Sequence, residues 1–484
     1  MVIKTQDLAA YMFPSIMEVP ITPLMKGSGL SYGAAAGVVV TNPDEVKVLD
    51  SSKKGIYAAT KMRAEDLVVM NDSRIAGLVI TDADEACHET VITRGAGKSL
   101  VANASLNERA GQFVTIDGTS GKIYEGILDC TTPDIASTSF QQMIQELVKE
   151  TGIIVRANAD TPEQARKARL FGAQGLGPVR TEYMFYTGER LPLMQRFILM
   201  RDESCLERLS ELQTADFSGI YREMSGFPVG IRLFDPPFNE FCPKTREQRE
   251  KTAKVLGISK RELEQRIERF SEDNPMLGLR GVSLGILYEE VYKMQLYAAF
   301  NGAADAKYKG LNPKPEITVP FVALPKEMKA MRRMIDDVAA EVSRRREMRI
   351  PYTVTAMIEL PAACYQAEGI AGYVDGFSFG TNDLAQTTYG FSRTDLARMF
   401  VEYKERGILE KSPFVALTEP LLEVIRVGVE RGRRGNPSLQ IGICGEQAGD
   451  PSSLRKCYEL GMNYGSCSPF RVPFVYQAFQ REVQ

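Results

Sequence analysis

From Ile153 to the end of the chain, short apolar runs alternate with long, charged, amphipathic stretches, and this rhythm limits the possible folds more than any other feature. The runs are IIVRANA, LGPVRTE, VGIRLFD, LRGVSLG, EITVPFV, VTAMIEL, GFSFGTND and QIGICGE, eight in all. Segments such as KEMKAMRRMIDDVAAEVSRRREM lie between them and read as helices with one charged face. Eight strand-then-helix units in roughly 330 residues predict an α/β fold, a (β/α)8 TIM barrel with insertions. No internal repeat or low-complexity segment interrupts this pattern.

Charge and composition then exclude whole classes of function. Lys and Arg total 59 against 62 Asp and Glu, a formal net charge of -3. A chain without a basic surplus is a poor partner for nucleic acid, whose affinity rests on neutralising phosphates. There is no run of about 18 apolar residues to cross a membrane, and the first residues hold no uninterrupted apolar signal core. The eight cysteines form no C-x-x-C pair, so a zinc site and a disulfide framework are both disfavoured. A reducing, cytoplasmic setting is expected. One count is more restrictive still: the only histidine is His88. A His-His-carboxylate metal site is therefore excluded, and any imidazole chemistry falls to His88 alone.

Upstream of the barrel the text changes. Residues 1–25 read as a leader. Residues 26–126 (GSGLSYGAAAGVVV, DLVVM, GLVIT, SLVA, QFVTIDGTSGKIYEG, with a helical stretch after Arg63) read as a small α/β domain of short strands. In 127–152, Phe140, Met143, Ile144, Leu147 and Val148 recur at helical spacing after Pro133, which marks a connecting helix. The barrel occupies 153–484.

Active sites of such barrels gather at the C-terminal ends of the strands, and charged residues fall there. Arg180 closes the second run, Arg232 the third, Glu359 the sixth and Asn382-Asp383 the seventh; Arg280 lies in the fourth. Guanidinium forks suit phosphate or carboxylate. Glu359 and Asp383 offer hard oxygen ligands for Mg²⁺, with other positions left to substrate and water. Gly380 and Thr381 add backbone freedom and N–H groups beside them. The set describes a site for a small, doubly anionic, metal-chelating ligand. Cys467, in SCSPFRVP, is expected on a tight turn after the last barrel helix, where a thiol near cations is a candidate proton donor or nucleophile.

These same segments carry a resemblance. IIVRANADTPEQARKARLFGAQGLGPVRTEYMF, PVGIRLFDPPFNEFCP, NPMLGLRGVSLG, MIELP, FSFGTNDLAQTTYGFSRTD, GICGEQAGDPSS and SCSPFRVP resemble, in order, the pyruvate phosphate dikinases within the phosphoenolpyruvate-utilising enzymes. CHETVITRGAGKSLVA is similar to the segment of that family's swivelling phosphohistidine domain, with His88 at the phosphorylated position and Arg94 six residues on. The resemblance implies that phosphoryl moves between phosphoenolpyruvate and His88 through a pyruvate enolate. Arg180 and Arg232 would hold the phosphoryl group, and Arg280 and Asn382 would place the substrate. Mg²⁺ on Glu359 and Asp383 would neutralise the enolate oxygen, and Cys467 would protonate its methylene carbon. His88 would swing in on the linker, and the barrel would pair as a homodimer.

The sequence departs from the family in three places. Only about 25 residues precede the small domain, with no ATP-grasp domain among them, which leads to the expectation of a separate ATP-binding subunit or another small-molecule phosphoryl acceptor. GAGKS at 95–99 is no substitute, because a P-loop needs Gly where Ile92 stands. The family's Gly-Gly and Thr-Ser before the histidine are replaced by Asp82, Asp84, Glu85, Ala86 and Cys87, whose carboxylates favour imidazolium and repel phosphate. Gln447 stands where the family has a histidine; it donates and accepts but does not titrate. Two alternatives stay open: lyase, mutase or hydrolase chemistry confined to the barrel beside a silent upstream domain, and a non-catalytic phosphoenolpyruvate-binding protein.

Overall fold

The computed structural model describes residues 3–19, 22–50, 52–62, 72–83, 88–393, 395–396, 399–400, 402–403 and 406–480. The helical stretch expected after Arg63, the DLVVM run and residues 84–87 before His88 lie outside them. The chain divides into two units. One comprises Met1–Ile153, Leu170–Gly172 and Ser468–Gln484; the other comprises Ile154–Arg169 and Ala173–Cys467. Ser468–Gln484, which the sequence reading assigns to the larger domain, thus group with the first unit.

The first unit is built on a sheet of β1 (Met25–Lys26), β2 (Ser28–Ser31), β3 (Ala34–Val40), β4 (Gly55–Ala59), β5 (Ile75–Ile80), β6 (Ser99–Ala102), β7 (Phe113–Asp117) and β8 (Lys122–Glu125), in the order β1-β8-β7-β3-β4-β5-β6-β2. Its central strands are apolar on both faces. Val40, Tyr57, Leu78 and Ile80 enter one cluster, while Val39, Ile56, Ala58 and Val79 enter another. A two-residue period with both faces buried produces the continuous apolar text of AAAGVVV. His88 is the first residue of the helix His88–Ala96, which leads into β6. The helix expected in 127–152 spans Thr138–Thr151, buries Phe140, Ile144 and Leu147, and ends at Gly152 with φ 64°. It begins five residues after Pro133 because a turn intervenes, in which Ser137 N donates to Asp134 O at 3.1 Å.

The second unit is a closed parallel barrel of β9 (Val155–Ala157), β10 (Leu176–Arg180), β11 (Pro228–Arg232), β12 (Lys314–Val319), β13 (Thr353–Ile358), β14 (Gly376–Gly380), β15 (Gln440–Cys444) and β16 (Tyr464–Cys467), with β16 paired to β9. The expected strand number is correct, but one member is not. LRGVSLG is not the fourth strand: Gly281–Leu287 is a helix, within a long insertion between β11 and β12 that also carries Arg246–Leu256, Lys260–Glu268 and Glu289–Tyr308. Its buried residues, Gly281, Val282, Leu284 and Gly285, fall at helical spacing, but so short an apolar run does not tell strand from helix in the sequence. The last strand is YGSC, whose small residues give no β signal, and Cys467 therefore ends β16 rather than sitting on a turn after a helix. Closure identifies it: Gly465, Ser466 and Cys467 pair with Val155, Arg156 and Ala157.

Inside the barrel, Arg156 Nη1 lies 3.1 Å from both carboxylate oxygens of Glu316, and its guanidinium stacks 3.6 Å from the centroid of the Tyr464 ring. Gly442 is needed beside that ring, since a Cβ there would collide with it. A buried charge without its partner is costly. Glu316→Ala is expected to lower unfolding stability by about 3–5 kcal/mol, measured by urea denaturation, with the isosteric Glu316→Gln losing less.

Candidate active site at the mouth of the barrel

The strand ends converge in register. Arg180 pairs with Arg232 across β10 and β11, and Gly380 pairs with Cys444 across β14 and β15. Ile358 pairs with Phe379, so Glu359, one residue beyond β13, lies against Gly380. A Cβ on Gly380 would stand 2.6 Å from Glu359 Oε2. The glycine is thus a matter of space: the carboxylate occupies the volume a side chain would take. Thr381, Asn382 and Asp383 form the first turn of the helix Thr381–Tyr389. There the helix N-terminus favours a carboxylate.

Carboxylates absent from the sequence reading hold the arginines. Asp235 is buried and bridges two of them: its Oδ2 lies 2.7 Å from Arg280 Nη2 and 3.4 Å from Arg232 Nη1. Arg280 Nη1 reaches Asp383 Oδ1 at 3.0 Å, and the guanidinium packs 4.3 Å from the centroid of the Phe321 ring. Arg232 also donates to Glu182. Arg180 donates to Asp160 from Nη2 at 3.0 Å and from its backbone N at 2.7 Å. The missed carboxylates had a signal. Glu182 and Asp235 follow their strand-end arginines by two and three residues, and a buried guanidinium requires a buried acid nearby. Arg280 comes from the insertion rather than from a strand, yet the structure delivers it to the same site.

Electrostatics follow from this packing. Burial opposes the charge on Arg232, but Glu182, Asp235, Glu359 and Asp383 outweigh it and hold its pKa well above normal. Asp235 is held below the usual range: burial raises it, and Arg232 and Arg280 prevail. Glu359 is 1% exposed. Burial first, then repulsion from Asp383 and Asp235, pushes its carboxyl up to about 8, against the pull of Arg280 and Arg232. One Glu359 oxygen accepts Phe321 N at 2.6 Å. Asn382 Oδ1 is buried with no hydrogen-bond partner.

The remaining expected residues fall as follows. Cys467 is buried at the end of β16, and its carbonyl accepts Asn158 N at 2.8 Å. Gln447, also buried, binds Thr381 and the Pro413 carbonyl. His88 belongs to the first unit. Beside Arg280 and Asp235 opens a cleft of about 190 Å³ lined by Glu182, Tyr183, Tyr186 and Glu240. Among the described residues, no group of three or more His, Cys, Asp or Glu is arranged to hold a metal ion by itself. No helix among them is long and apolar enough to cross a membrane.

Comparison with known proteins now decides the family. The PEP-binding domain of the PEP-utilising enzymes matches residues 136–483. The chain belongs to the PEP-utilising enzymes. Its relatives include three pyruvate, phosphate dikinases. That of Rhizobium meliloti is 41% identical over 471 residues, covering 92% of this chain and 52% of the relative. That of Giardia intestinalis is 38% identical, covering 94% and 53%. That of Clostridium symbiosum is 36% identical, covering 92% and 54%. The chain spans about half the length of the curated relatives it matches.

Because the Glu359 carboxylate rests on the bare backbone of Gly380, Gly380→Ala is expected to displace it. The variant is expected to break the hydrogen bond from Phe321 N to Glu359 and lower unfolding stability by about 1–3 kcal/mol, read by urea denaturation.

Proposed function

We propose that the chain is a Mg²⁺-dependent phosphotransferase acting on phosphoenolpyruvate and pyruvate, with His88 as the phosphoryl carrier. The observation that carries this reading is the cluster of Arg180, Arg232, Arg280, Glu359 and Asp383 at one end of a barrel whose family binds phosphoenolpyruvate. Three forked cations beside two adjacent acids match a ligand that carries phosphate, carboxylate and a developing enolate.

The donor set fits a magnesium ion. Burial first, then repulsion from Asp383 and Asp235, raises the Glu359 carboxyl, and the oxygen of Asn382 is buried without a partner. One or two carboxylates, completed by substrate and water, is the usual protein share for Mg²⁺. Glu359 and Asp383 would hold it, and when bound it supplies positive charge to the enolate and phosphoryl oxygens.

The chain's own residues do the rest. Arg180 and Arg232, fixed by Asp160, Glu182 and Asp235, hold the phosphoryl oxygens. Arg280 and Asn382 orient the three-carbon portion. As the ester P–O bond breaks, phosphorus bonds to an imidazole nitrogen of His88 and the electron pair stays on the enolate oxygen. Cys467 then gives its proton to the methylene carbon, forming pyruvate. Arg232 and Arg280 are already paired, so they bind without first being reoriented. Phosphoryl leaves His88 for an acceptor, either a small molecule or a nucleotide held by an ATP-binding partner.

The test uses phosphoenolpyruvate and Mg²⁺, following pyruvate release and acid-labile phosphate on the protein. A pyruvate burst stoichiometric with label, absent in His88→Ala, is expected. Multiple turnover by His88→Ala would assign the chemistry to the barrel alone, a reading favoured by the acidic residues that precede His88. Binding without conversion would leave a non-catalytic phosphoenolpyruvate-binding protein. Asp383→Ala is expected to reduce the burst rate by roughly 100- to 1000-fold. Cys467→Ala should slow pyruvate formation by about 100-fold while oxalate binding, measured by calorimetry, stays near normal.

A further inference from the structure

Gln447 is fully buried behind the rim, and both ends of its side-chain amide are engaged. Its Nε2 donates to the Pro413 carbonyl at 2.7 Å, and its Oε1 accepts from Thr381 Oγ1 at 2.7 Å. The amide's orientation follows from chemistry: a proline carbonyl can only accept, so the nitrogen must face it. The Thr381 hydroxyl also lies 3.0 Å from the Cys444 carbonyl at the end of β15. A hydroxyl has one proton to give and the shorter contact is to Gln447, so the first residue of the helix that carries Asn382 and Asp383 is tied to the Pro413 segment through one threonine and one glutamine.

Two further observations show how tightly this corner is filled. Gly445 adopts φ 124°, and a Cβ there would collide with Thr381 Oγ1 and stand 3.2 Å from Gln447 Oε1. The same Cβ position is 3.5 Å from Asn382 Oδ1, the buried oxygen that has no hydrogen-bond partner. Gly445 thus lies close both to the Thr381–Gln447 pair and to a polar atom the fold leaves unsatisfied.

We infer that Gln447 is a positioning residue. It acts through Thr381 to hold the Asn382–Asp383 turn in its ligand-binding geometry, and it does not touch the ligand itself. The inference rests on the proposed phosphoenolpyruvate site and adds to it the residue that sets the position of the ligands that follow β14. Both polar atoms of Gln447 are used within the protein, so its place in the reaction is to fix other groups. An amide has no titrating proton, and this link keeps one donor and one acceptor throughout the ordinary pH range.

Binding of oxalate with Mn²⁺, measured by calorimetry on the full chain, tests this. Gln447→Met keeps the shape and removes both hydrogen bonds; Thr381→Val removes the hydroxyl; Thr381→Ser keeps it. Gln447→Met and Thr381→Val are each expected to weaken binding by roughly 10- to 100-fold. The double variant should be no weaker than either single one, because both break the same link. Thr381→Ser should bind close to the unaltered protein, a rescue that a general loss of packing would not produce. Should Gln447→Met misfold, Thr381→Val against Thr381→Ser still decides the matter. Normal binding by Thr381→Val, or losses that add in the double variant, would overturn the inference while the site reading stands. Absence of oxalate binding by the unaltered protein would remove the site reading and this inference with it.

Discussion

Charge compensation in a space from which water is excluded is the constraint on which this site depends. Asp235 sits between Arg232 and Arg280, and Arg280 passes the chain of contacts on to Asp383. None of these groups would be tolerable alone at such burial. Together they hold two guanidinium groups and two carboxylates at fixed separations, and Glu359 beside them is raised by its burial first and then by repulsion from Asp383 and Asp235. An acidic pair hemmed in by arginines is a chemically specific arrangement and not a generic polar rim.

The parts of the site were legible to different degrees. Arg180 and Arg232 stand at the ends of apolar runs, and the barrel places strand ends on one rim, so their convergence followed from position alone. Glu359 and Asp383 were legible for the same reason. Arg280 is expected on a strand and arrives instead from an insertion, because an apolar run of seven residues is too short for its pattern to tell strand from helix. Asp235 and Glu182 passed unnoticed although they lie within the runs themselves. What they do is neutralise arginines, and the need for that appears only once the arginines are known to be buried.

The departures from the family take on different weights once the fold is in view. Gln447, in place of a histidine, engages both its polar atoms within the protein, so the substitution falls on the support of the Asn382–Asp383 turn. The acidic residues before His88 bear on a different question, the readiness of an imidazole to accept phosphate, and they belong to the first unit. The proposed binding chemistry of the barrel and the proposed phosphoryl acceptance on His88 thus rest on different residues of this chain.

The amino-acid sequence by itself determined the class of fold, the single imidazole and the strand-end positions of Arg180, Arg232, Glu359 and Asp383, because apolar periodicity and strand-end position are local properties. Only the tertiary structure decided which segment closes the barrel, how Arg280 reaches Asp383, what Asp235 is for and what Gln447 holds. YGSC has no strand signal of its own and is a strand because β15 and β9 leave one place between them. Pairings of that kind join residues far apart in the chain, and their energy comes from burial and compensation that exist only when the ring of strands is complete.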